Sequence, residues 1–486
     1  MNRWTSQNTI THTKMPINSL IFRAYDIRGI ADPKFCPPGT VSDLTEESVY
    51  LIGKATATHL KQKYQAVTIA VGMDNRLTGP SLKAAYIKGL VEMGMEVTDI
   101  GISTSPMLYW AVCALKFDAG ANITASHNPK EYNGIKIVSK NAHSVCGPEL
   151  QELVKIIENN SYLKNDKPGS IKSEDVWGKY LKDLASHVKI DRKLKVVVDC
   201  GNGTAGKFAP ELLRHIGCDV TELYCELDGH FPNHEANPEE IENMRDLIAK
   251  VKETHADIGI GFDGDGDRVG VVNEKGELYS SDFMLLLLAR DLLTRCPGAQ
   301  IVFDVKVSQA IINNIKKLGG TPVMSKTGHS FIESKMKEIG APLAGEVSGH
   351  LFFAENYYGF DDAFLAALKI IELLSKETHP LSQMFNDLPK TFTTPEIKIP
   401  CPDDKKFTVV GTLVAHFTKL YPSITIDGVR TNFTENSWGA VRASNTSPNL
   451  TLRFEADSQE QLEKIKEEMF VQLRKHPEVQ LDSIAH

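Results

Sequence analysis

Residues 195–224 read KVVVDCGNGTAGKFAPELLRHIGCDVTELY, and they contain the unit from which most of this chain is built. The β-branched run KVVVD predicts a strand that is covered on both faces, and a glycine-rich loop follows it. PELLRHI has apolar residues at helical spacing, Gly217 ends that helix, and CDVTELY predicts the next strand. Strand, loop, helix, glycine and strand in this order are typical of a right-handed βαβ crossover.

Two other stretches repeat this unit. After VTIAV (residues 67–71) come a loop, the helical pattern SLKAAYIKGLVEM, Gly94 and a new apolar run. After IVF (residues 301–303) come VKVSQ, the helical pattern AIINNIKKL, a pair of glycines and TPVMS. Three similar units in series predict three α/β domains that are related by internal duplication.

The C-terminal part of the chain has a different pattern. FTTPEIKIP, SITIDGVRTNF, WGAVRAS and NLTLRFEA predict strands, and residues 458–474 predict a helix. The predicted fold class is therefore α/β, with three related mixed α/β domains and a smaller C-terminal α+β domain. The predicted segments are a loose N-terminal tail at 1–18 and domains at 19–170, 171–276, 277–390 and 391–486.

Composition and charge exclude several classes of function. The net charge of −8 gives no general attraction for nucleic acid or for an anionic membrane. The longest apolar run, FMLLLLA at residues 283–289, is far shorter than the roughly 20 residues of a membrane-spanning helix. The polar N-terminal segment lacks the apolar stretch of a secretory signal, and Met15 is a second candidate start. The eight cysteines include no C-x-x-C pair, which favours a reducing, cytoplasmic setting.

The sharpest local motif is DGDGDR at residues 263–268, directly after the apolar run DIGIGF. Asp263, Asp265 and Asp267 alternate with glycines that permit tight curvature, so their carboxylates can turn toward one point and bind Mg²⁺ or Ca²⁺. An EF-hand is excluded, because Arg268 occupies the position of the turn glycine and a strand precedes the loop. The alternative is a solvated acidic turn without a metal ion.

Two further loops offer hydroxyl groups. TASHNP at residues 124–129 contains Ser126 but lacks a G-x-S-x-G elbow, and alone it is typical of a turn with a satisfied hydroxyl. GEVSGH at residues 345–350 presents Glu346 and Ser348, a carboxylate and a hydroxyl that suit the recognition of a sugar diol. Alone, it is more typical of a glycine-rich turn.

Two more stretches offer groups that bind anions. RASNTSP at residues 442–448 lies between two predicted strands and combines an arginine, an asparagine and several hydroxyl groups. FRAYDIRG at residues 22–29 adds two arginines and a tyrosine. The alternatives are a hydroxyl-rich turn and a strand with paired surface charges. One special loop per predicted domain, taken together, indicates phosphoryl transfer on a phosphosugar.

At these residues the sequence resembles the α-D-phosphohexomutase superfamily, and within it the bacterial phosphomannomutase/phosphoglucomutase group. TASHNP, DGDGDR, GEVSGH and RASNTSP occur in the family's order, and the resemblance extends from about Phe22 to the C terminus. It implies four domains around a central cleft. It also implies reversible transfer of a phosphoryl group between the 1- and 6-positions of mannose and glucose phosphates, through a hexose 1,6-bisphosphate intermediate.

The resemblance implies a role for each motif residue. Ser126 would be the phosphoserine, and Asp263, Asp265 and Asp267 would bind Mg²⁺ together with the serine phosphate. Glu346 and Ser348 would hold the sugar 3- and 4-hydroxyls. The residues implied to grip the non-reacting phosphate are Arg442, Ser444, Asn445 and Thr446. Other implied substrate contacts are Tyr25, Arg28, Arg268, Lys306 and His329, and the acid–base candidates are His127, Lys136 and His329.

The resemblance also implies partners and leaves alternatives. Glucose 1,6-bisphosphate would be the activator, a phosphosugar the substrate, and the protein a monomer or a weak homo-oligomer. The alternatives are a phosphoglucosamine mutase, a metal-dependent phosphatase and a non-catalytic phosphosugar-binding protein. Val347 stands where mannose/glucose enzymes typically have Met and phosphoglucosamine mutases typically have Gln, so the loop is more similar to the mannose/glucose group.

Overall fold

A computed structural model describes residues 17–165, 167–445 and 447–481 of the chain. Within these residues the strands form four sheets, three of them mixed and one antiparallel. This architecture confirms the predicted fold class of three mixed α/β units followed by an α+β unit. The part of the predicted N-terminal tail at residues 1–16 lies outside the described residues.

The first sheet carries the longest series of strands. They are β1 (Ile27–Ile30), β2 (Thr68–Met73), β3 (Glu96–Ile102), β4 (Ala119–Ile123), β5 (Tyr132–Ser139), β6 (His143–Ser144) and β7 (Ile171–Ser173). The helices of this unit are α1 (Glu46–Tyr64), α2 (Gly79–Glu92), α3 (Ser105–Ala114) and α4 (Pro148–Glu158). The strand order is β1-β5-β4-β2-β3-β7, with β6 beside β5. Because β7 pairs with β3, this sheet continues just past the boundary predicted at residue 170.

The second and third units follow in the chain. The second contains α5 (Trp177–Ser186), β8 (Lys195–Asp199), α6 (Ala209–His215), β9 (Asp219–Leu223), α7 (Arg245–Thr254), β10 (Ile258–Phe262), β11 (Val269–Asn273) and β12 (Leu278–Tyr279). The third contains α8 (Ser281–Arg295), β13 (Gln300–Asp304), α9 (Gln309–Lys317), β14 (Thr321–Ser325), α10 (His329–Ile339), β15 (Leu343–Gly345), β16 (Leu351–Phe353) and α11 (Ala363–Lys376). The strand orders are β12-β11-β10-β8-β9 and β14-β13-β15-β16.

The fourth unit is antiparallel throughout. It contains β17 (Phe392–Thr393), β18 (Ile397–Pro400), α12 (Lys406–Phe417), β19 (Ser423–Ile424), β20 (Val429–Asn432), β21 (Trp438–Ala443), β22 (Asn449–Ala456) and α13 (Gln459–Leu473). The strand order is β17-β22-β21-β20-β19, and β18 also pairs with β22. The four segment boundaries taken from the sequence stay predictions.

The three mixed sheets share one topology. In each, three parallel strands are followed by an antiparallel fourth strand, in the orders β3-β2-β4-β5, β9-β8-β10-β11 and β14-β13-β15-β16. The loop between the third and fourth of these strands contains TASHNP in the first unit, DGDGDR in the second and GEVSGH in the third. Internal duplication therefore places three chemically distinct loops at equivalent positions.

Local sequence signals set most element ends. The predicted helix stops Gly94, Gly217 and Gly319 all have left-handed backbone, with φ of 77°, 97° and 80°. Two predicted strands were wrong in extent. FTTPEIKIP is divided into β17 and β18 around Pro395, which has no N–H to give a ladder, and SITIDGVRTNF is divided by a turn at Gly428, where φ is 72°.

The three mixed units share one large apolar core. It contains residues of each unit, among them Leu108, Phe262 and Phe364. Helix α11 lies at its centre, in contact with α5, α8, β11 and β16. The FMLLLLA run lies in α8, where all of its residues except Phe283 are buried. Among the described residues, no helix has both the length and the apolar character needed to cross a bilayer.

Two glycines allow α1 and α2 to approach each other closely. A Cβ on Gly53 would lie 2.4 Å from the carbonyl oxygen of Tyr86, and one on Gly89 would lie 2.4 Å from that of Tyr50. We therefore expect Gly53→Ala to lower the free energy of unfolding by about 1–3 kcal/mol through overpacking. This loss would occur although alanine is the better helix former by about 1 kcal/mol.

Gly411, in the middle of α12, provides the matched control. It is exposed, and a Cβ there would meet nothing within 4 Å. Gly411→Ala should stabilise the protein by up to about 1 kcal/mol. Urea denaturation of both variants measures the difference, and equal stability changes would contradict the close approach of the two helices.

Candidate active site

One cleft of about 700 Å³ is lined by residues of all four units. Ser126 lies at its floor in the first unit, Arg268 belongs to the second, Glu346 to the third and Arg442 to the fourth. Thr446 lies outside the described residues. The other sequence-predicted residues that line the cleft are Tyr25, Arg28, His127, Lys136, Lys306, His329, Ser348, Ser444 and Asn445.

Ser126 is held in an unusual backbone conformation directly after β4. Its φ is 52°, in the left-handed region that non-glycine residues rarely adopt, and its side chain is buried. Its N–H donates to Thr124 Oγ1 at 2.9 Å. Its hydroxyl donates to Asp263 Oδ2 at 2.8 Å and lies 3.1 Å from His127 Nδ1. The serine of the first unit thus contacts the acidic loop of the second.

The acidic loop gathers three fully buried carboxylates. Asp263, Asp265 and Asp267 each offer an oxygen within 4.8 Å of the others. Asp263 Oδ1 accepts the N–H groups of Asp267 and Arg268, at 3.0 and 3.1 Å. Asp265 Oδ1 accepts no hydrogen bond from any described residue. Strands β10 and β11 flank the loop, which confirms that it is not an EF-hand.

These oxygens fit a hard divalent cation. Carboxylate oxygens close to one point are the ligands that Mg²⁺ and Ca²⁺ prefer, and the Ser126 hydroxyl lies beside them. Burial, and then the charges of Asp267 and Asp265, raise the pKa of Asp263 well above its usual range. A cation bound among the three carboxylates offsets this repulsion.

The geometry of the acidic loop requires glycine at two positions. A Cβ on Gly264 would lie 2.4 Å from the carbonyl oxygen of Ser126, so only glycine lets the acidic loop approach the serine this closely. Gly266 has a φ of 72° and turns the chain between two aspartates. The alternation of aspartate and glycine in DGDGDR therefore serves both the curvature and the contact between loops.

Lys136 lies among the carboxylates of the acidic loop. It extends from β5, and its ammonium donates to Asp265 Oδ2 at 2.7 Å and to Asp267 Oδ2. Burial opposes its charge, but Asp265 and Asp267 outweigh that effect and raise the pKa of Lys136. The structure thus makes Lys136 a counter-charge of the acidic loop.

GEVSGH forms a compact network in which the sequence-based prediction omitted one member, His350. Glu346 accepts hydrogen bonds from the Gly328 N–H at 2.6 Å, from Ser348 Oγ at 2.9 Å and from His350 Nδ1 at 2.9 Å. His350 Nε2 lies 3.4 Å from Asp267 Oδ1. Burial opposes the protonation of His350, but Asp267 and Glu346 outweigh it and raise its pKa to about 10. His350 could have been identified from the sequence, because it is the last residue of the GEVSGH motif.

The other two imidazoles are held neutral at pH 7. Burial, and then the charges of Lys136 and His350, lower the pKa of His329 to about 3. Burial, and then the charges of Arg268 and Arg28, lower the pKa of His127 well below its usual value. Both imidazoles are therefore neutral, and both line the cleft.

The fourth unit meets the first and third at the far side of the cleft. Asn445 Nδ2 donates to the hydroxyl of Tyr25 at 2.7 Å. Arg442 Nε donates to Asp427 Oδ2 at 2.6 Å, while its buried Nη2 has no hydrogen-bond partner among the described residues. Lys306 Nζ donates to Glu396 Oε2 at 2.5 Å.

Sequence reasoning missed Asp427 and Glu396, because the stretches SITIDGVRTNF and FTTPEIKIP that contain them were interpreted only as strands. It also gave weight to Val347, whose side chain does not line the cleft. Val347 is partly buried and packs against the large apolar core instead.

The comparisons with known proteins agree with this geometry. Four family models match in order, described as Phosphoglucomutase/phosphomannomutase alpha/beta/alpha domain I (residues 19–164), domain II (178–276), domain III (280–392) and C-terminal domain (396–472). A phosphomannomutase/phosphoglucomutase of Pseudomonas aeruginosa is 45% identical over 447 residues, covering 92% of this chain and 94% of the relative.

Two other proteins are similar over nearly the whole chain. A phosphoglucomutase of Neisseria gonorrhoeae is 42% identical over 460 residues, covering 94% of this chain and 97% of the relative. The crystal structure of a phosphoglucomutase/phosphomannomutase family protein from Burkholderia thailandensis has a TM-score of 0.86 at 37% identity, covering 94% of this chain and 98% of that one. With this fold, these four loops and these relatives, the chain belongs to the phosphoglucomutase/phosphomannomutase family.

Proposed function

We propose that this protein is a phosphohexomutase that interconverts the 1- and 6-phosphates of mannose and of glucose. One observation carries the proposal. The buried Ser126 hydroxyl, 2.8 Å from Asp263, stands at the floor of a cleft whose other walls carry Glu346, Ser348 and Arg442. A hydroxyl beside a cation site, opposite groups for sugar and phosphate, is the arrangement that phosphoryl transfer on a phosphosugar requires.

Ser126 carries the phosphoryl group in this proposal. The bond between Ser126 Oγ and phosphorus breaks as a bond forms between phosphorus and the free hydroxyl oxygen of the bound hexose phosphate. The hydroxyl proton passes to a base in the cleft, Ser126 Oγ takes up a proton as it leaves, and the product is a hexose 1,6-bisphosphate. After this intermediate has reoriented in the cleft, Ser126 Oγ gives up its proton and attacks the other phosphoryl group, and the released sugar oxygen takes up a proton.

The metal ion of this proposal is Mg²⁺, held by Asp263, Asp265, Asp267 and an oxygen on Ser126. When bound, it neutralises charge on the transferred phosphoryl group. Lys136, which belongs to the first unit, forms ion pairs with two of these carboxylates, Asp265 and Asp267. Arg268 faces the cleft from the end of the acidic loop, where its charge suits a phosphate.

The sugar and the non-reacting phosphate are held by the other two loops. Glu346 and Ser348, already ordered by their mutual hydrogen bond, would bind the sugar 3- and 4-hydroxyls. The unpartnered Nη2 of Arg442 would donate to the phosphate that does not react, because a buried donor without an acceptor is costly. The proposed phosphate loop is Arg442, Ser444, Asn445 and Thr446, and further proposed contacts are Tyr25, Arg28, Lys306 and His329.

Of the three acid–base candidates, His127 and His329 are better suited than Lys136 to act as the general base. His127 and His329 are neutral at pH 7 and can accept a proton, and His127 Nδ1 is 3.1 Å from the serine hydroxyl. Lys136 stays protonated between two carboxylates, so it suits charge stabilisation. His350, whose pKa is raised to about 10, is a further proton donor at the cleft.

The activator, the oligomeric state and the cellular compartment are also part of the proposal. We propose glucose 1,6-bisphosphate as the activator that loads Ser126, a monomer or weak homo-oligomer as the working form, and the cytoplasm as the compartment. Free thiols at all eight cysteines suit a reducing compartment. A phosphoglucosamine mutase remains the alternative enzyme, and relative rates on mannose 1-phosphate, glucose 1-phosphate and glucosamine 1-phosphate separate the two.

Removing the serine hydroxyl tests the proposed carrier. We expect Ser126→Ala to fold, since the change removes one oxygen, and to lose mutase activity by about three orders of magnitude or more. Coupled assays of glucose 1-phosphate conversion measure the activity, and thermal unfolding checks the fold. Wild-type turnover in Ser126→Ala would rule out this serine as the carrier.

A single carboxylate change tests the proposed cation site. We expect Asp265→Asn to weaken Mg²⁺ binding by about tenfold or more, because one anionic ligand of a hard cation is lost. Isothermal titration with Mg²⁺ measures the affinity. Asp199→Asn is the matched control, since Asp199 is equally buried at the end of β8 in the same sheet but pairs with His234. Equal Mg²⁺ affinities in the two variants would contradict the assignment.

A further inference from the structure

Arg76 contacts the serine loop but does not line the main cleft. It follows β2 and precedes α2, and it is only 2% exposed. It lines a smaller cavity of about 290 Å³, which shares Ser126 and His127 with the main cleft. Because Arg76 is not among the residues that line the main cleft, phosphosugar binding does not account for it.

The Arg76 side chain is saturated by acceptors, most of them in the serine loop. Its Nε donates to Asp74 Oδ2 at 3.1 Å. Its two terminal nitrogens donate to four backbone carbonyl oxygens, at 2.8 Å for Ser126, 2.7 Å for Pro129 and 3.0 Å for Tyr132, and also to that of Asn128. One planar guanidinium thus donates to four of the backbone carbonyls between Ser126 and the start of β5.

The left-handed backbone of Ser126 needs a surrounding group that holds it in place. A left-handed serine costs roughly 1–2 kcal/mol, and its conformation persists only where the surroundings impose it. The Ser126 carbonyl oxygen is confined between Arg76 and the backbone at Gly264, where a Cβ would lie 2.4 Å away. With the carbonyl fixed, the hydroxyl of the same residue points to Asp263.

The segment that carries Arg76 also contacts the unit of the acidic loop. Asn75 Nδ2 donates to the carbonyl of Asn202 at 2.8 Å, and the Asn75 N–H donates to Thr204 Oγ1 at 3.2 Å. Thr204 N–H in turn donates to the carbonyl of Gly264, in the acidic loop. Residues 74–76 therefore contact the serine loop directly and are connected to the acidic loop through Thr204.

We propose that Arg76 is a positioning residue for phosphoryl transfer: it holds the serine loop through the backbone carbonyls, so that Ser126 Oγ faces the acidic loop. Arg76 touches neither substrate nor the reacting oxygen, and it acts through the loop conformation. This inference rests on the proposed function, because it assigns a role within that same reaction.

Arg76→Lys tests the proposal, since lysine keeps the charge but lacks the planar fork. We expect kcat to fall by about 100-fold, as a misplacement near 1 Å can cause. KM for glucose 1-phosphate should stay within about twofold, because the binding loops are unchanged. Single-turnover loading of Ser126 from glucose 1,6-bisphosphate, followed by mass spectrometry, should slow by the same factor as kcat.

Arg290→Lys is the matched control for a purely structural arginine. Arg290 lies on α8, donates to the carbonyl of Met384 at 2.8 Å and pairs with Asp387, away from the cleft. We expect this variant to melt at a lower temperature with kcat and KM unchanged. The proposal is overturned if folded Arg76→Lys has wild-type kcat, or if Arg290→Lys loses kcat to the same extent.

A second variant, Asp74→Asn, and a second measurement, amide hydrogen exchange, test the proposal independently. If Arg76→Lys does not fold, Asp74→Asn replaces it, and a wild-type kcat there overturns the proposal, whereas a reduced kcat at constant KM supports it. Amide hydrogen exchange over residues 124–132 should be faster in the Arg76 or Asp74 variant than in Arg290→Lys, and equal exchange overturns the proposal. If the wild-type protein converts no hexose phosphate, the proposed function fails, while the exchange result still decides whether Arg76 holds the loop.

Discussion

Three carboxylates buried within 4.8 Å of one another are the constraint on which the rest of the site depends. Like charges this close repel strongly away from water, so the fold must supply cations and N–H donors around them. Lys136 from the first unit, backbone N–H groups within the loop and His350 from the third unit provide these. A divalent cation bound among them would complete the balance beside the Ser126 hydroxyl. The requirement to neutralise this charge therefore ties three units to one point.

Duplication of one α/β unit explains how the loops reach that point. Each mixed sheet presents its chemical loop between the third parallel strand and the antiparallel strand that follows, and a shared apolar core around α11 fixes the sheets relative to each other. The fourth unit is joined through the Asn445–Tyr25 contact and through Arg430, which donates to the carbonyls of Val305 and Val307. Ser126, Arg268, Glu346 and Arg442, one residue from each unit, thus face one cleft.

Much of this could be predicted from sequence, because local patterns carry it. The VVV run, the glycine stops and the DGDGDR alternation each report on their own neighbourhood, and the resulting strands and loops agree with the structure. Long-range partners could not be predicted in this way. Nothing near Lys136 in the sequence indicates that it reaches across to Asp265, and the inward orientation of Val347 depends on packing that only the folded chain creates.

The central claim is that Ser126 itself carries the phosphoryl group. Its most direct test is the mass of the peptide of residues 117–130 after incubation of the protein with glucose 1,6-bisphosphate and Mg²⁺. We predict a gain of one phosphoryl group, about 80 Da, located on Ser126 and still present after turnover of added glucose 1-phosphate, because each catalytic cycle returns a phosphoryl group to the serine. An unmodified Ser126 in protein that turns over, or a phosphoryl group on His127 instead, would contradict it.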